Sequence, residues 1–293
     1  MISLVLLLSP MAAFAADFDL VPKAFKTNPL LDMTVITEMT DEGRQRPPAS
    51  RERPVYFASI FTRMQEEGRG DAGLVAPPLT LLEETMQRAL AANGFLPADE
   101  AHPPTLLIVC DWGVYNKPST ELDEDGKPSG ELGDGDTSGG NLLNRAALIG
   151  GTEFAQKLAE AIKENQLLKL SQSDWHPLLN PLRRFRDSSP TNRILYDRLQ
   201  CELYFVVATA FDFESVARKQ PVRLWRSKLT VDSASVNMSD TLPSLIIAGA
   251  SYLGRDTPQA VALRKRPMQG RVDLGPLNIL EDSVELSPPP PAK

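Results

Sequence analysis

Two neighbouring stretches with strand periodicity constrain the fold of this chain more than any other feature. Alternate residues are apolar over Leu199–Phe213, which is the period-two pattern of a strand with one face against a core. Val222–Asp232 alternates in the same way, with Trp225 among the apolar residues and Arg226 and Lys228 on the other side. Since only a short turn separates them, the two stretches predict a long antiparallel hairpin with Trp225 in the core.

The other periodic segments complete an α+β pattern. Helical spacing predicts helices over Pro78–Asn93, Asn141–Leu168 and Ser239–Leu253, and β-branched or aromatic runs predict strands over Pro54–Phe61 and Thr105–Tyr115. Gly94 ends the first helix as a left-handed cap. The apolar stripe of the second includes Leu143 and Ala147, and the Gly150-Gly151 pair weakens the prediction that this helix is continuous. Thr105–Tyr115 is apolar on both faces, as in a central strand covered on both sides. This order predicts one mixed or antiparallel sheet of about four to five strands, with helices mainly on one face.

Composition divides the chain into four parts. We expect a signal peptide over residues 1–15, an irregular N-terminal arm over 16–53, the α+β domain over 54–254 and an irregular C-terminal tail over 255–293. The arm contains one strand-like run, Met33–Thr37, and the tail ends in four consecutive prolines. Inside the domain, residues 117–140 are acidic, rich in Gly and without periodicity, which predicts a mobile loop.

The start of the chain has the pattern of a secretory signal. Met1–Leu8 is apolar, and Ala13-Phe14-Ala15 matches the small-residue site at which signal peptides are cleaved. The apolar run is too short to span a bilayer, and no later stretch is apolar enough to do so. No cysteine lies directly after the apolar run, where a lipid would be attached, so a lipid anchor is not indicated. We therefore expect a mature chain from Ala16 onward that is periplasmic or secreted and has no transmembrane segment.

The charge balance argues against nucleic acid as a partner. The formal net charge is −7 and the isoelectric point is near 5.1, whereas a nucleic-acid binder needs a basic surface that displaces counterions from phosphates. Two short basic clusters, Arg183–Arg186 and Arg264–Arg266, are interpreted as solvated surface. A contact with anionic lipid or a glycan phosphate is the alternative.

The chain has two cysteines, Cys110 and Cys201. An exported protein folds in an oxidising compartment, so a disulfide between them is one alternative. Each cysteine lies in an apolar stretch that resembles a half-buried strand, which favours two free thiols.

One glycine-rich segment and one acidic segment resemble ligand-binding loops, but neither has the full residue pattern that such a loop requires. Gly68–Gly73 has the glycine spacing of a dinucleotide-binding loop, but acidic residues precede it and no helix opens there, so no cofactor is expected. Asp123, Asp125, Asp134 and Asp136 are weak candidates for calcium ligands. Because the closing acid is out of register for an EF-hand, a solvated acidic loop is the preferred interpretation.

Asp111 and Asp212 are the best candidates for acid–base chemistry, although weak ones. Each lies in or near the end of a predicted core strand beside aromatic residues, an environment in which a pair of carboxyl groups can divide the roles of acid and base. The preferred alternative is that each is a strand-end acid that reaches solvent or accepts a hydrogen bond from a backbone N–H.

Three segments of the α+β domain carry a resemblance to known proteins. They are A-L-A-A-N-G-F ahead of P-P-T-L-L-I-V-C-D-W-G, the strand L-Y-F-V-V-A-T-A-F-D-F, and R-L-W-R before the last apolar helix. In these segments the chain resembles exported bacterial envelope proteins of unknown function, many of them lipoproteins. Over Pro54–Gly254 the layout is similar to the domain of curli-secretion lipoproteins and to the N-terminal domain of the translocation protein TolB. The resemblance implies an α+β envelope domain without a known activity.

We therefore expect a non-enzymatic binding or assembly module of the cell envelope, whose partner is an envelope protein or a cell-wall component. The alternative is a hydrolase that acts on an envelope glycan or ester with Asp111 and Asp212. Two carboxylates in one concave pocket would favour the hydrolase. Acids on opposite faces, beside an exposed apolar groove, would favour binding.

Overall fold

The computed structural model describes residues 31–67, 74–116, 121–122, 128–129, 137–170, 180–234 and 236–265. These residues form an eight-stranded mixed sheet with helices on both faces. The fold is therefore α+β, as the order of elements predicts.

The sheet combines strands from both ends of the described chain. Its strands are β1 (Leu31–Met39), β2 (Val55–Phe61), β3 (Gln65–Glu67), β4 (Phe95–Pro97), β5 (Leu106–Tyr115), β8 (Leu203–Asp212), β9 (Arg223–Asp232) and β10 (Val261–Lys265), while β6 (Glu121–Leu122) and β7 (Pro128–Ser129) form a separate pair. The order across the sheet is β10-β1-β9-β8-β5-β2-β4, with β3 also beside β5. β2 runs parallel to β4 and β5, and β3 runs parallel to β5; the other neighbouring pairs are antiparallel.

The helices of the described residues are α1 (Asp41–Gln45), α2 (Leu79–Ala91), α3 (Thr137–Leu170), α4 (Pro181–Asp187), α5 (Pro190–Arg198), α6 (Phe213–Ala217) and α7 (Met238–Gly249), and a 3₁₀ turn follows over Ala250–Tyr252. Two of them, α2 and α7, cover what we call the first face of the sheet. α2 and α7 bury their apolar sides against alternate residues of the central strands, such as Ile108 and Val206. Trp225 lies in this core with Leu245 and Ile246 of α7, which confirms its predicted burial.

The second face carries α3, α4 and α5. Leu158 of α3 and Leu195 of α5 form a second core with Leu203 of β8. α3 lies over β1 and β9 and is broken at Gly151, whose backbone is at φ +86° and ψ 179°. The break lies at the Gly150-Gly151 pair, which weakens the sequence prediction of a continuous helix.

The sheet is larger than the four to five strands expected, and its helices are not confined mainly to one face. β1 comes from the arm over residues 16–53, and β10 comes from the tail over 255–293. β1 lies between β9 and β10, so the sheet extends beyond residues 54–254 at both ends. The sequence does not predict these two added strands as part of the sheet, because β10 is only five residues long and because the neighbours of β1 are distant in the chain.

The segment before β8 is helical where an irregular connection and an earlier strand start were expected. α4 and α5 each begin with a proline that follows a side-chain cap, Asn180 and Ser189 respectively. β8 therefore begins at Leu203, and Leu199 and Cys201 precede its ladder. α3 and its neighbours also bury the second face of β8, so the hairpin has a core on both sides rather than one.

Other local predictions are confirmed or shifted by a few residues. α2 ends at Gly94, which has a φ of +86°. α7 is capped by Asn237, where Ser239 was expected. Most of residues 117–140 lies outside the described residues, although β6 pairs with β7 there and α3 begins at Thr137 rather than Asn141.

Candidate functional site

A group of second-face side chains on β2, β5 and the end of β8 remains accessible to solvent. The register places Ala58, Leu107 and Phe211 in one row across these strands, and Ile60 and Val109 in the next. Asp111 follows Val109 on the same face of β5. We call these six residues the open face; Ile60 is 52% exposed, and the others are half-buried.

On the opposite side, β5 is buried along its whole length, whereas in β2 Phe57 is buried and Val55 and Phe61 are partly buried. Phe57, Leu106, Ile108, Cys110 and Trp112 all point into the first core. The expectation that β5 is covered on both sides is thus correct for the first face, whereas Leu107 and Val109 on the second face are only half-buried. A contiguous apolar strip with this exposure is typical of a surface that contacts another molecule.

Polar side chains border the open face. Gln65 of β3 donates a hydrogen bond from Nε2 to Oδ1 of Asp111 at 3.2 Å. Arg226 of β9 donates from Nε to Oγ1 of Thr209 at 3.0 Å. Burial lowers the pKa of Arg226, and the charge of Arg223 adds to this, while the Asp111 carboxylate acts in the opposite direction. Asp111 thus borders the apolar strip along β5, and Arg226 borders it across β8.

Beyond Arg226, the ion pair between Glu38 and Lys228 joins the sheet to α3. Nζ of Lys228 lies 2.6 Å from Oε2 of Glu38 and 2.7 Å from the carbonyl oxygen of Ala147, in the last turn before the break in α3. Oε1 of Glu38 accepts a 2.6 Å hydrogen bond from the backbone N–H of Thr152, just after the break. A cation thus contacts the carboxyl end of one helical segment and an anion the amino end of the next, as helix dipoles favour.

Asp212 caps a helix and forms an ion pair. Its Oδ1 accepts a 2.7 Å hydrogen bond from the backbone N–H of Ser215 in α6, and its Oδ2 lies 2.5 Å from Nη2 of Arg46. The hydrogen bond from Arg46 is the main cause that lowers the pKa of this carboxyl group, and it outweighs the opposing effect of burial. Asp212 therefore stays ionised near neutral pH, which suits a cap rather than an acid.

The structure does not bring Asp111 and Asp212 into one pocket. In the β5–β8 ladder Asp212 lies opposite Leu106, five residues before Asp111. Five residues of extended strand span about 17 Å. Because successive side chains alternate, an odd separation also places the two positions on opposite faces of the sheet.

The other predicted site residues remain apart or lie outside the described part of the chain. Asp123, Asp125, Asp134 and Asp136 lie outside the described residues. Among the described residues no group of three or more His, Cys, Asp or Glu side chains could hold a metal ion. Both thiols are free, as expected: Cys110 is buried opposite Ala208, and Cys201 lies beyond the far end of β8.

Acidic neighbours neutralise the basic cluster on α4. Arg183, Arg184 and Arg186 form ion pairs with Asp187, Glu164 and Asp197 respectively. In the second cluster, Arg264 lies 3.5 Å from Asp32. These contacts fit the interpretation of the clusters as solvated surface, since exposed pairs of this kind leave little net charge for a phosphate.

Sequence reasoning missed Ile60 and placed Lys228 on a solvent-facing side. Lys228 is buried because α3 crosses β9 above it. The signal for Ile60 was its position in a strand whose neighbour, Thr105–Tyr115, is apolar on both faces. The helix that follows this strand in sequence, α3, packs on β1 and β9 instead, which leaves the apolar second face accessible.

No protein-family model matches this chain, and no curated protein is significantly similar to it. Among the described residues, no helix has the length and apolar character needed to cross a membrane.

Proposed function

We propose that this chain is a non-catalytic binding module of the bacterial cell envelope, and that a partner protein docks on the open face. The observation that carries the proposal is the contrast between the two sides of β2 and β5. On the first face, the side chains of β5 and Phe57 of β2 are buried. On the second face, Ile60 is 52% exposed, and Leu107 and Val109 are half-buried. Leaving such a strip in water is unfavourable, and a partner that covers it would recover the hydrophobic free energy.

The border of the strip indicates the chemistry of the partner. Protein interfaces have an apolar centre surrounded by a polar rim. Here Asp111 follows Val109 along β5, and Arg226 lies across β8 in the same row as Val109, so both border the apolar centre. A protein segment with apolar side chains in the middle, a basic group towards Asp111 and an acidic group towards Arg226 would complement this surface.

The positions of the acids favour binding over the hydrolase alternative. A glycosidase with two carboxyl groups needs them within about 10 Å of each other, on either side of one bond. Asp111 and Asp212 are about 17 Å apart along the ladder and on opposite faces. Asp212 is also engaged by Arg46 and by the cap of α6.

The test uses two isoleucines with the same exposure. Ile60 and Ile247 are each 52% exposed, but Ile247 lies on α7, on the other side of the molecule. A photoreactive benzoylphenylalanine at position 60 should give a discrete crosslinked adduct in intact cells, and one at position 247 should not. The adduct identifies the partner. In a separate experiment without crosslinking, the Ile60→Asp variant should recover at least tenfold less of this partner than the wild type does, whereas Ile247→Asp should recover as much as the wild type.

Two outcomes would contradict the proposal. Equal adducts at positions 60 and 247 would show that crosslinking reports exposure alone. Full partner recovery by a folded Ile60→Asp variant would show that docking does not use the open face. The export part of the proposal depends on the apolar run and the Ala13-Phe14-Ala15 site; an intact mass that retains residues 1–15 would contradict it.

A further inference from the structure

At the other end of the second face, α3 buries an arginine that has no carboxylate partner among the described residues. Arg145 is only 1% exposed. Its Nη1 donates to the carbonyl oxygen of Asn116 at 3.0 Å and, more weakly, to that of Tyr115 at 3.4 Å. The guanidinium also lies over the Tyr115 ring, 5.0 Å from its centroid. One edge of the guanidinium is thus held by the end of β5.

The other edge of the Arg145 guanidinium is unpaired. Nε and Nη2 are buried and have no hydrogen-bond partner, and Arg145 forms no ion pair with any of the described residues. These two N–H groups point in nearly parallel directions, which is the geometry that grips the two oxygens of a carboxylate. Oδ1 of the neighbouring Asn116 is also buried without a donor. Buried polar groups are usually satisfied, so this set of atoms calls for an explanation.

The charged groups around Arg145 limit the charge of any ligand. The nearest acids that act on it are Glu202 and Asp232, at the ends of the adjoining strands. Arg198 lies in the same region and pairs with Asp32, although its Nη1 has no partner. Burial lowers the pKa of Arg145 to about 10, so it remains charged at neutral pH. Since positive and negative groups are nearly balanced, the site favours an anion with one charge over a phosphate with close to two.

We propose that the Nε–Nη2 edge of Arg145 binds a carboxylate that has an N–H or O–H next to it, as at the carboxyl end of a peptide. The carboxylate oxygens accept from Nε and Nη2, and the neighbouring N–H or O–H donates to Oδ1 of Asn116. This site is separate from the open face, because Arg145 lies beside Tyr115 at one end of β5 and Leu107 lies near the other. Since the edge is closed to solvent, binding requires a local opening.

N-acetylglycine is the probe, because it carries one carboxylate and an adjacent N–H. It should raise the melting temperature of the full chain by about 3 °C at 100 mM, relative to sodium chloride at equal ionic strength. It should also shift the Nε–H resonance assigned to Arg145 in a ¹⁵N spectrum of the wild-type protein. N-acetylglycinamide, which lacks the carboxylate, should bind at least tenfold more weakly, and so should inorganic phosphate.

The variants separate binding from folding. Arg145→Met keeps the apolar part of the side chain and removes the unpaired charge, so its melting temperature without probe should stay within about 3 °C of wild type. Its affinity for N-acetylglycine should fall at least tenfold, whereas Arg51→Met, at an exposed arginine, should bind like wild type.

Three results would overturn the proposal. They are the absence of any N-acetylglycine-dependent shift at the Arg145 Nε–H, equal binding of the amide or of phosphate, and unchanged affinity in Arg145→Met. The first needs only the wild-type protein, so the proposal stays testable even if the variant does not fold. None of these results involves a partner at Ile60, so failure here is distinct from failure of docking at the open face.

Discussion

Among single residues, Glu38 and Lys228 show how a charged pair beneath a helix depends on its surroundings. Burial raises the pKa of Glu38, but the hydrogen bonds from Lys228 and Thr152 outweigh it, so the net shift is downward. The pKa of Lys228 is also lowered, because burial outweighs its contact with Glu38. In the acid range Lys228 is protonated in both the folded and the unfolded state. The lowered pKa of Glu38 therefore decides how the contribution of this pair to the free energy of unfolding responds to acid.

Glu38→Gln is expected to remove part of the acid sensitivity of the fold. Because the folded pKa of Glu38 lies below its ordinary value of 4.5, its contribution to stability is present above pH 4.5 and is lost as the pH falls through the folded pKa. At pH 7 the substitution should cost about 2 kcal/mol, since the hydrogen bonds it weakens are to a charged group. Urea unfolding at several pH values would show the difference between wild type and variant shrinking as the pH falls.

Glu153→Gln is the matched control, at a carboxylate on α3, the helix that Glu38 contacts. Glu153 forms an exposed pair with Lys157 at 2.5 Å, and both side chains are more than half exposed. Its loss should change the free energy of unfolding by less than about 0.5 kcal/mol at any pH. A difference between wild type and Glu38→Gln that stays constant down to pH 3 would contradict the assigned role of Glu38.

At the level of elements, α3 is two helical segments joined at Gly151 and held to the sheet on either side of the break. Lys228 contacts the segment before the break, and Glu38 contacts the segment after it. The break changes which side of the helix faces the core. Ala146 and Ile149 are buried before it, whereas the predicted stripe residues Leu143 and Ala147 are only half-buried.

Gly151→Ala should destabilise the protein by about 1–3 kcal/mol, because a φ of +86° is unfavourable for a residue with a Cβ. The new Cβ would also lie 2.4 Å from Cδ1 of Ile36, which would have to move. In a continuous helix the same substitution would instead stabilise by about 1 kcal/mol, since alanine has the higher helix propensity. Thermal unfolding followed by circular dichroism measures the sign of the change in stability. A higher melting temperature for Gly151→Ala than for the wild type would contradict a break of α3 at this position.

For the whole molecule, the sheet joins segments that are more than two hundred residues apart in the chain. Thr257 exchanges backbone and side-chain hydrogen bonds with Thr37, including a 2.8 Å bond from the N–H of Thr37 to Oγ1 of Thr257. Thr37 also bonds to Ser227 of β9 at 2.7 Å. β1 is therefore held on both sides, and the first and last described strands belong to one cooperative unit.

Hydrogen–deuterium exchange should show this integration directly. Amides of Thr34–Thr37 in β1 should exchange as slowly as those of Val206–Ala208 in β8, because both need global unfolding to open. Amides at the edge strand β4 serve as the internal comparison and should exchange faster. Fast exchange in β1 together with slow exchange in β8 would mean that residues 31–39 behave as a separate arm.

Regular elements with a clear period were predictable from the sequence alone. α2 with its cap at Gly94, the apolar first face of β5 and the buried Trp225 follow from the spacing of apolar residues and from the freedom of glycine at positive φ. These features depend on residues within a few positions of each other. Local sequence therefore determined the longer strands and helices, together with the α+β class.

Only the tertiary structure decided which elements become neighbours and which side chains they bury. β1 gains its place between β9 and β10 from hydrogen bonds to segments about 200 residues away, and no local pattern specifies such pairing. Lys228 and Arg145 have the spacing of solvent-facing residues, yet a crossing helix buries the first and the end of β5 covers the second. The exposure of Ile60 has the same origin, because α3 packs over β1 and β9. The period of a strand sets which residues share a face, whereas the path of the rest of the chain sets whether that face meets a helix or water.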